Sequence, residues 1–265
     1  MLRAAQKFSS APVFALALLG LAPALHAEIV TQTVEYDVEG TTHIGYLAYD
    51  DAIEELQPGV LVIHEWWGLN DFARERARAV AELGYVAFAP DMYGEGRVTR
   101  DPEQAGEWSS AVEEQQRFET LGKAALQVLR AQDRVDEERL ASMGFCFGGT
   151  STLAMAFAGL PLDAAISFHG HLPVPDRQAL DHTEADLLIL HGAADPYVEP
   201  ALVTRFRDAL LASRLDWQLV WFGNVQHSFM NPAAEESGLD GLAYDPRAAH
   251  RAWQQTGDFL AQSLR

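Results

Sequence analysis

Cysteine is almost absent from this chain: its 265 residues hold one, Cys146. A single thiol cannot close an intrachain disulfide, so stability has to come from a hydrophobic core. Basic residues are scarce as well. Nineteen Lys and Arg stand against 38 Asp and Glu, a formal net charge of −19, and no basic cluster interrupts the excess. Such a surface repels nucleic acid and anionic membrane, which excludes both as partners. The longest apolar run, Ala11 to Leu25, is shorter than the ~20 residues a membrane span needs. There is no internal repeat, low-complexity segment or linker, so a single domain is expected.

That apolar run has a different reading. Arg3 and Lys7 precede it, and Ala22-Pro23-Ala24 and Leu25-His26-Ala27 follow as candidate processing sites. Residues 1–27 are therefore expected to be a secretory signal, with residues 28–265 the mature domain. Removing the segment takes away two basic and no acidic residues, which moves the formal charge from −19 to −21. The expected product is a monomer in the periplasm or secreted, off the membrane, with an unpaired thiol.

What remains reads as strands alternating with helices. Glu28–Tyr36 and Thr42–Tyr49 alternate branched and polar residues around Glu39-Gly40, which suggests an antiparallel hairpin at a sheet edge. Short continuous apolar runs at Val60–Ile63, Tyr85–Ala89, Ala141–Gly144, Ala164–Phe168, Leu187–Leu190 and Trp217–Phe222 read as buried strands. Helical spacing marks Phe72–Leu83, Phe118–Val128, Gly149–Ala158, the stretch after Pro200, and Ala249–Leu264. Asp91–Arg100 reads as a Gly- and Arg-bearing loop. The alternation argues an α/β fold: a mostly parallel central sheet with helices on both faces.

One stretch organises the rest. Gly144-Phe145-Cys146-Phe147-Gly148 fits the strained strand-to-helix turn called a nucleophile elbow, with cysteine where serine is usual. The two glycines sit where a Cβ would meet neighbouring backbone. The following helix aims its first N–H groups at Cys146, an arrangement that favours a thiolate. A buried structural cysteine is the plain alternative.

In such sheets the active groups follow the carboxyl ends of strands. Glu65 and Trp66 follow Ile63, Cys146 follows Gly144, Asp195 follows Leu190, and His227 follows Phe222. Nucleophile, acid and histidine thus fall in the chain order of an α/β-hydrolase. His227 would take the proton of Cys146 and Asp195 would fix the imidazole. The backbone N–H groups of Trp66 and Phe147 would receive an oxyanion. Alone, His227 could be a solvated loop residue and Asp195-Pro196 a helix start. His169 and His171 are metal ligands by type but lack a carboxylate or cysteine at ligand spacing, so no metal and no other cofactor is expected.

Five motifs jointly resemble the dienelactone hydrolase family of carboxymethylenebutenolidase-like α/β-hydrolases. They are His64-Glu65-Trp66-Trp67-Gly68-Leu69-Asn70, Ala89-Pro90-Asp91-Met92-Tyr93-Gly94, Met143–Gly149, His191-Gly192-x-x-Asp195-x-x-Val198 and His227-Ser228-Phe229. The resemblance implies a Cys-Asp-His triad, cofactor-free hydrolysis of a small ester or lactone, and a glutamate touching the resting cysteine, which is Glu65 by motif. A carboxylate capping the next helix is the alternative for Glu65. Trp66, Trp67, Tyr93, Phe145, Phe147 and Phe229 suggest an apolar acyl pocket. Family members acting on the dienelactone carboxylate carry arginines after the Asp-x-Tyr and His-Ser-Phe motifs. Here those stretches read Gly94-Glu95-Gly96 and Met230-Asn231-Pro232, leaving Arg97 and Arg100 as substitutes. A thioesterase or small-ester esterase would use the same triad. A binding protein on a dead hydrolase fold and a redox-sensing thiol are the readings from other classes.

Overall fold

The computed structural model describes residues 28–265, and the expected signal at residues 1–27 lies outside them. Two strands open the described chain, β1 (Ile29–Val38) and β2 (Thr41–Asp50). They pair antiparallel from Ile29↔Asp50 to Val38↔Thr41, and the turn residues Glu39 and Gly40 have φ of 55° and 85°. Positive φ at both turn positions matches the twist of the flanking strands, and Gly40 adopts it without steric cost. This is the expected hairpin, and β1 is the sheet's outer edge.

The chain continues through β3 (Gln57–Ile63), α1 (Asp71–Ala81), β4 (Val86–Ala89), α2 (Pro102–Glu114), α3 (Phe118–Arg130) and β5 (Val135–Phe145). Then come α4 (Phe147–Phe157), β6 (Ala164–Phe168), α5 (Arg177–His182), β7 (Asp186–Gly192), α6 (Pro200–Leu211), β8 (Trp217–Phe222) and α7 (Pro246–Ser263). The sheet order is β1-β2-β4-β3-β5-β6-β7-β8, with every pair from β4 to β8 parallel.

Alternation along each strand divides the core into two layers. Leu61 and Ile63 of β3 and Leu140 of β5 join Leu121 and Leu129 of α3 and Met155 of α4 on one face. Val60, Val62, Met143 and Phe145 face the other way, onto Ala77 of α1 and Ala252 and Leu260 of α7. The helix α2 has no counterpart in the sequence reading. It buries little beyond Ala105 and Val112, so no apolar stripe marks it; its start is marked by Asp101, whose carboxylate caps Glu103, and by Pro102.

Register is what matters for the site. Ile63 pairs with Gly144, Phe145 with Phe168, and Phe168 with Leu190, which in turn pairs with Val220. Five parallel strands therefore end nearly level, and the loops after them share one rim.

Candidate active site

The elbow is built from steric necessity. Cys146 has φ 54° and ψ −117°, a conformation that L-residues avoid and that marks functional turns. A Cβ on Gly144 would lie 2.1 Å from the carbonyl oxygen of Gly148, and one on Gly148 would lie 2.3 Å from that of Ile63. Only glycine lets the turn close against β3. The Cys146 N–H is shared between the carbonyl of Phe168 at 3.0 Å and His169 Nδ1 at 3.1 Å, which anchors the turn to β6. His169 (φ 40°) and Ser228 (φ 55°) are also left-handed, so strain gathers on this rim.

Cys146 and His227 border one cavity of about 220 Å³. His227 Nδ1 hydrogen-bonds Asp195 Oδ2 at 2.7 Å, and both side chains are buried. The Asp195 carboxylate also accepts the Tyr197 N–H at 2.8 Å. Burial by itself lowers the imidazole pKa, but the charge of Cys146 and the hydrogen bond to Asp195 outweigh it and raise His227 to about 10. The array can thus hold His227 as an imidazolium.

Trp66 and Phe147 border the same cavity. Neither backbone N–H donates to another group among the described residues. Phe147 opens α4, where N–H groups have no helical acceptor. Trp66 is held on both sides. The Tyr93 hydroxyl donates to its carbonyl at 2.9 Å, and His64 Nδ1 lies 2.5 Å from the preceding carbonyl, that of Glu65. The loop bearing Tyr93 is itself fixed by Asp91, whose carboxylate accepts the N–H groups of Tyr93, Gly94, Gly96 and Ile44. Burial raises the Tyr93 phenol, and the charge of Cys146 adds to it.

Glu65 is buried at the end of β3, but its hydrogen bonds do not go to Cys146. Ser228 Oγ donates to Oε1 at 2.9 Å and Asn231 Nδ2 to Oε2 at 2.6 Å. Burial raises this carboxyl pKa, while these two bonds and His227 pull it back down. The contact with the resting cysteine expected from the resemblance is replaced by a clasp on the loop that carries His227.

The acyl pocket departs further from expectation. Phe145 and Phe229 are fully buried in the second core layer. Phase along β5 explains Phe145, which stacks on Phe168 at 4.6 Å, on the far side from the cavity. Trp67 borders a separate recess of about 120 Å³ beside Ser228 and Asn231, and Tyr93 sits behind Trp66 rather than in the cavity. The walls are Trp66 and Phe147 with Ser109 and Glu113 of α2, Thr150, His171, Tyr197, Val198 and Leu242. His171, Tyr197 and Val198, which the sequence reading does not assign to the cavity, follow β6 and β7, whose ends are the signal that could have found them; α2 carries no such signal. Arg97 pairs with Glu95, and Arg100 borders the Trp67 recess, so neither lines the Cys146 cavity. Burial and neighbouring His227 and His191 push His169 well down, making it a neutral packing group under the elbow. No group of three metal-binding side chains is clustered among the described residues.

An elbow, an acid and a histidine after β5, β7 and β8 of this sheet define an α/β-hydrolase. The profile of the Dienelactone hydrolase family matches residues 44–264, and the chain belongs to that family, a hydrolase of carboxylic ester bonds. It is 30% identical over 241 residues to "Protein usf" of Aquifex pyrophilus, covering 88% of this chain and 99% of the relative. Among solved structures it is similar to one titled "m3DLH", with 36% identity, TM-score 0.86, and coverage of 89% of this chain and 99% of that one. A dienelactone hydrolase-like promiscuous phosphotriesterase from metagenomic libraries shares 34% identity at TM-score 0.87, over 91% of this chain and 100% of its own.

Proposed function

We propose that this protein is an exported hydrolase that cleaves small carboxylic esters and lactones through an acyl-cysteine intermediate. The observation that carries the reading is Cys146 on its strained elbow, sharing a cavity with a His227 whose far nitrogen is held by Asp195 at 2.7 Å. The Cys146 proton passes to His227, and Sγ attacks the ester carbonyl carbon. The oxyanion that forms is met by the uncommitted N–H groups of Trp66 and Phe147. As the tetrahedral intermediate collapses, His227 returns its proton to the departing alkoxide, leaving the acyl group on sulfur. Water then loses a proton to His227, attacks the thioester carbon, and releases the acid and the free thiol. A lactone follows the same course, with its alkoxide tethered to the acyl group.

A panel of neutral esters, lactones and thioesters on the mature protein tests the reading, with a neutral phosphotriester included because of the metagenomic relative. Folded Cys146→Ala and His227→Ala proteins should each lose at least ~100-fold in kcat/KM, and intact-mass spectrometry of quenched wild type should show the acyl adduct. Near-normal turnover by Cys146→Ala would overturn the mechanism. Export is tested separately, by fractionating cells and sequencing the mature N-terminus, which should fall at or near residue 28.

A further inference from the structure

The walls of the Cys146 cavity include an acid that the hydrolytic chemistry does not use. Glu113, near the end of α2, borders the cavity as an exposed residue, and its carboxylate has neither a hydrogen bond nor an ion pair among the described residues. Partial burial raises its carboxyl and nearby His171 offsets part of that, while the exposure of the residue lets solvent screen its charge. No Lys or Arg borders the cavity; the two arginines that could have balanced the acid, Arg97 and Arg100, lie elsewhere. The remaining walls bring aromatic side chains, Trp66 and Tyr197, into the same space.

A negative charge on the cavity wall favours substrates of one charge over those of another. Hydrolysis builds an oxyanion in this cavity, and Glu113 opposes any charge of its own sign. Its field reaches the Tyr93 phenol, whose hydroxyl holds the Trp66 carbonyl. A carboxylate together with aromatic faces is the chemistry that recognises an ammonium group. A cation seated there would balance Glu113 while the oxyanion forms, whereas a carboxylate-bearing substrate would meet repulsion twice.

We propose that Glu113 sets specificity, and that this cavity takes esters whose acyl chain carries an ammonium group. This rests on the acyl-cysteine reading of the same site.

Three p-nitrophenyl esters of closely matched chain length test it: 4-(trimethylammonio)butanoate, the neutral 5,5-dimethylhexanoate, and glutarate with its free carboxylate. Wild type should favour the cation over the neutral ester by about 10-fold in kcat/KM and leave the anion slowest. In Glu113→Gln the cation-to-neutral ratio should fall toward one. A ratio unchanged by Glu113→Gln, or a wild-type preference for the anion, overturns the proposal. Calorimetric binding of the corresponding unreactive methyl ketones to Cys146→Ala protein poses the same question without turnover. A preference for the cationic ketone that disappears in the Cys146→Ala, Glu113→Gln double variant supports it, and equal affinities overturn it. Loss of all turnover dependence on Cys146 alongside a retained binding preference would separate failure of the mechanism from failure of this inference.

Discussion

His64 Nδ1 donates to the carbonyl of Glu65 at 2.5 Å, the residue next to it in the chain. The direction follows from the other nitrogen, because Nε2 accepts the Met92 N–H at 3.2 Å and so cannot carry the proton. Burial lowers the His64 pKa, which keeps the ring neutral. A trans peptide sets its N–H opposite its C=O, so fixing the Glu65 carbonyl also fixes the Trp66 N–H. The same ring stacks against Phe147 at 5.9 Å. His64 therefore fixes the Trp66 N–H and packs against the Phe147 side chain, the two residues proposed to receive the oxyanion.

It follows that His64→Phe should reduce kcat on a neutral ester by about 10- to 100-fold with KM little changed. The rate of Cys146 alkylation by iodoacetamide should stay near wild type, since the sulfur and His227 are untouched. A fall in both by the same factor would mean that the substitution loosens the whole site.

The elbow glycines give a stability prediction. The Gly148→Ala methyl would meet backbone carbonyls of Ile63 and His64, which cannot swing aside. The expected loss is on the order of 3 kcal/mol or more, above the usual range for an overpacked side chain. Gly223→Ala, with nothing within 4 Å of the added carbon, should unfold close to wild type. Denaturant unfolding of the two variants compares them directly.

That Cys146, Asp195 and His227 share one rim is legible in the sequence because each follows an apolar strand end, and level strand ends bring such residues together. Cavity walls obey that rule only in part. Phe145 and Phe229 adjoin Cys146 and Ser228 in sequence, yet strand alternation and loop packing turn both into the core. Glu113 and Ser109 come from a helix with almost no buried face, so no apolar periodicity announced it. Glu65 lies at the end of β3, but its partners, Ser228 and Asn231, are 163 and 166 residues away, and sequence spacing says nothing about a bond of that span.

His227 makes stability depend on pH. Its folded pKa is raised to about 10, so the folded protein holds the imidazolium proton more tightly than the unfolded chain does. The resulting stabilisation is complete below the ordinary histidine value near ~6.5 and is lost as pH rises through the folded value. The melting-temperature gap between wild type and His227→Gln should be widest near pH 6 and shrink toward pH 10. Cys146→Ala removes the sulfur charge, the largest influence raising the pKa, and should flatten the dependence. A gap that stays constant across this range would show that the proton is not held this way.

Glu65 supplies the last prediction, and the geometry changes what to expect of it. Were its carboxylate against Cys146, Glu65→Gln would speed alkylation of the thiol by removing a negative neighbour. Both oxygens instead accept hydrogen bonds from Ser228 and Asn231, and Ser228 is the strained residue directly after His227. Glu65 thus ties the end of β3 to the histidine loop and acts on His227 by positioning it. A glutamine has one acceptor oxygen where two are used, so one of the two donors loses its partner in a buried site. Glu65→Gln should cost about 1–3 kcal/mol of stability, lower kcat through a displaced His227, and slow iodoacetamide alkylation at neutral pH, because a displaced His227 no longer supports the thiolate. Ser228→Ala removes one strand of the clasp and should reproduce a smaller version of the same pattern. Faster alkylation in Glu65→Gln at neutral pH would instead place the carboxylate beside the sulfur in solution.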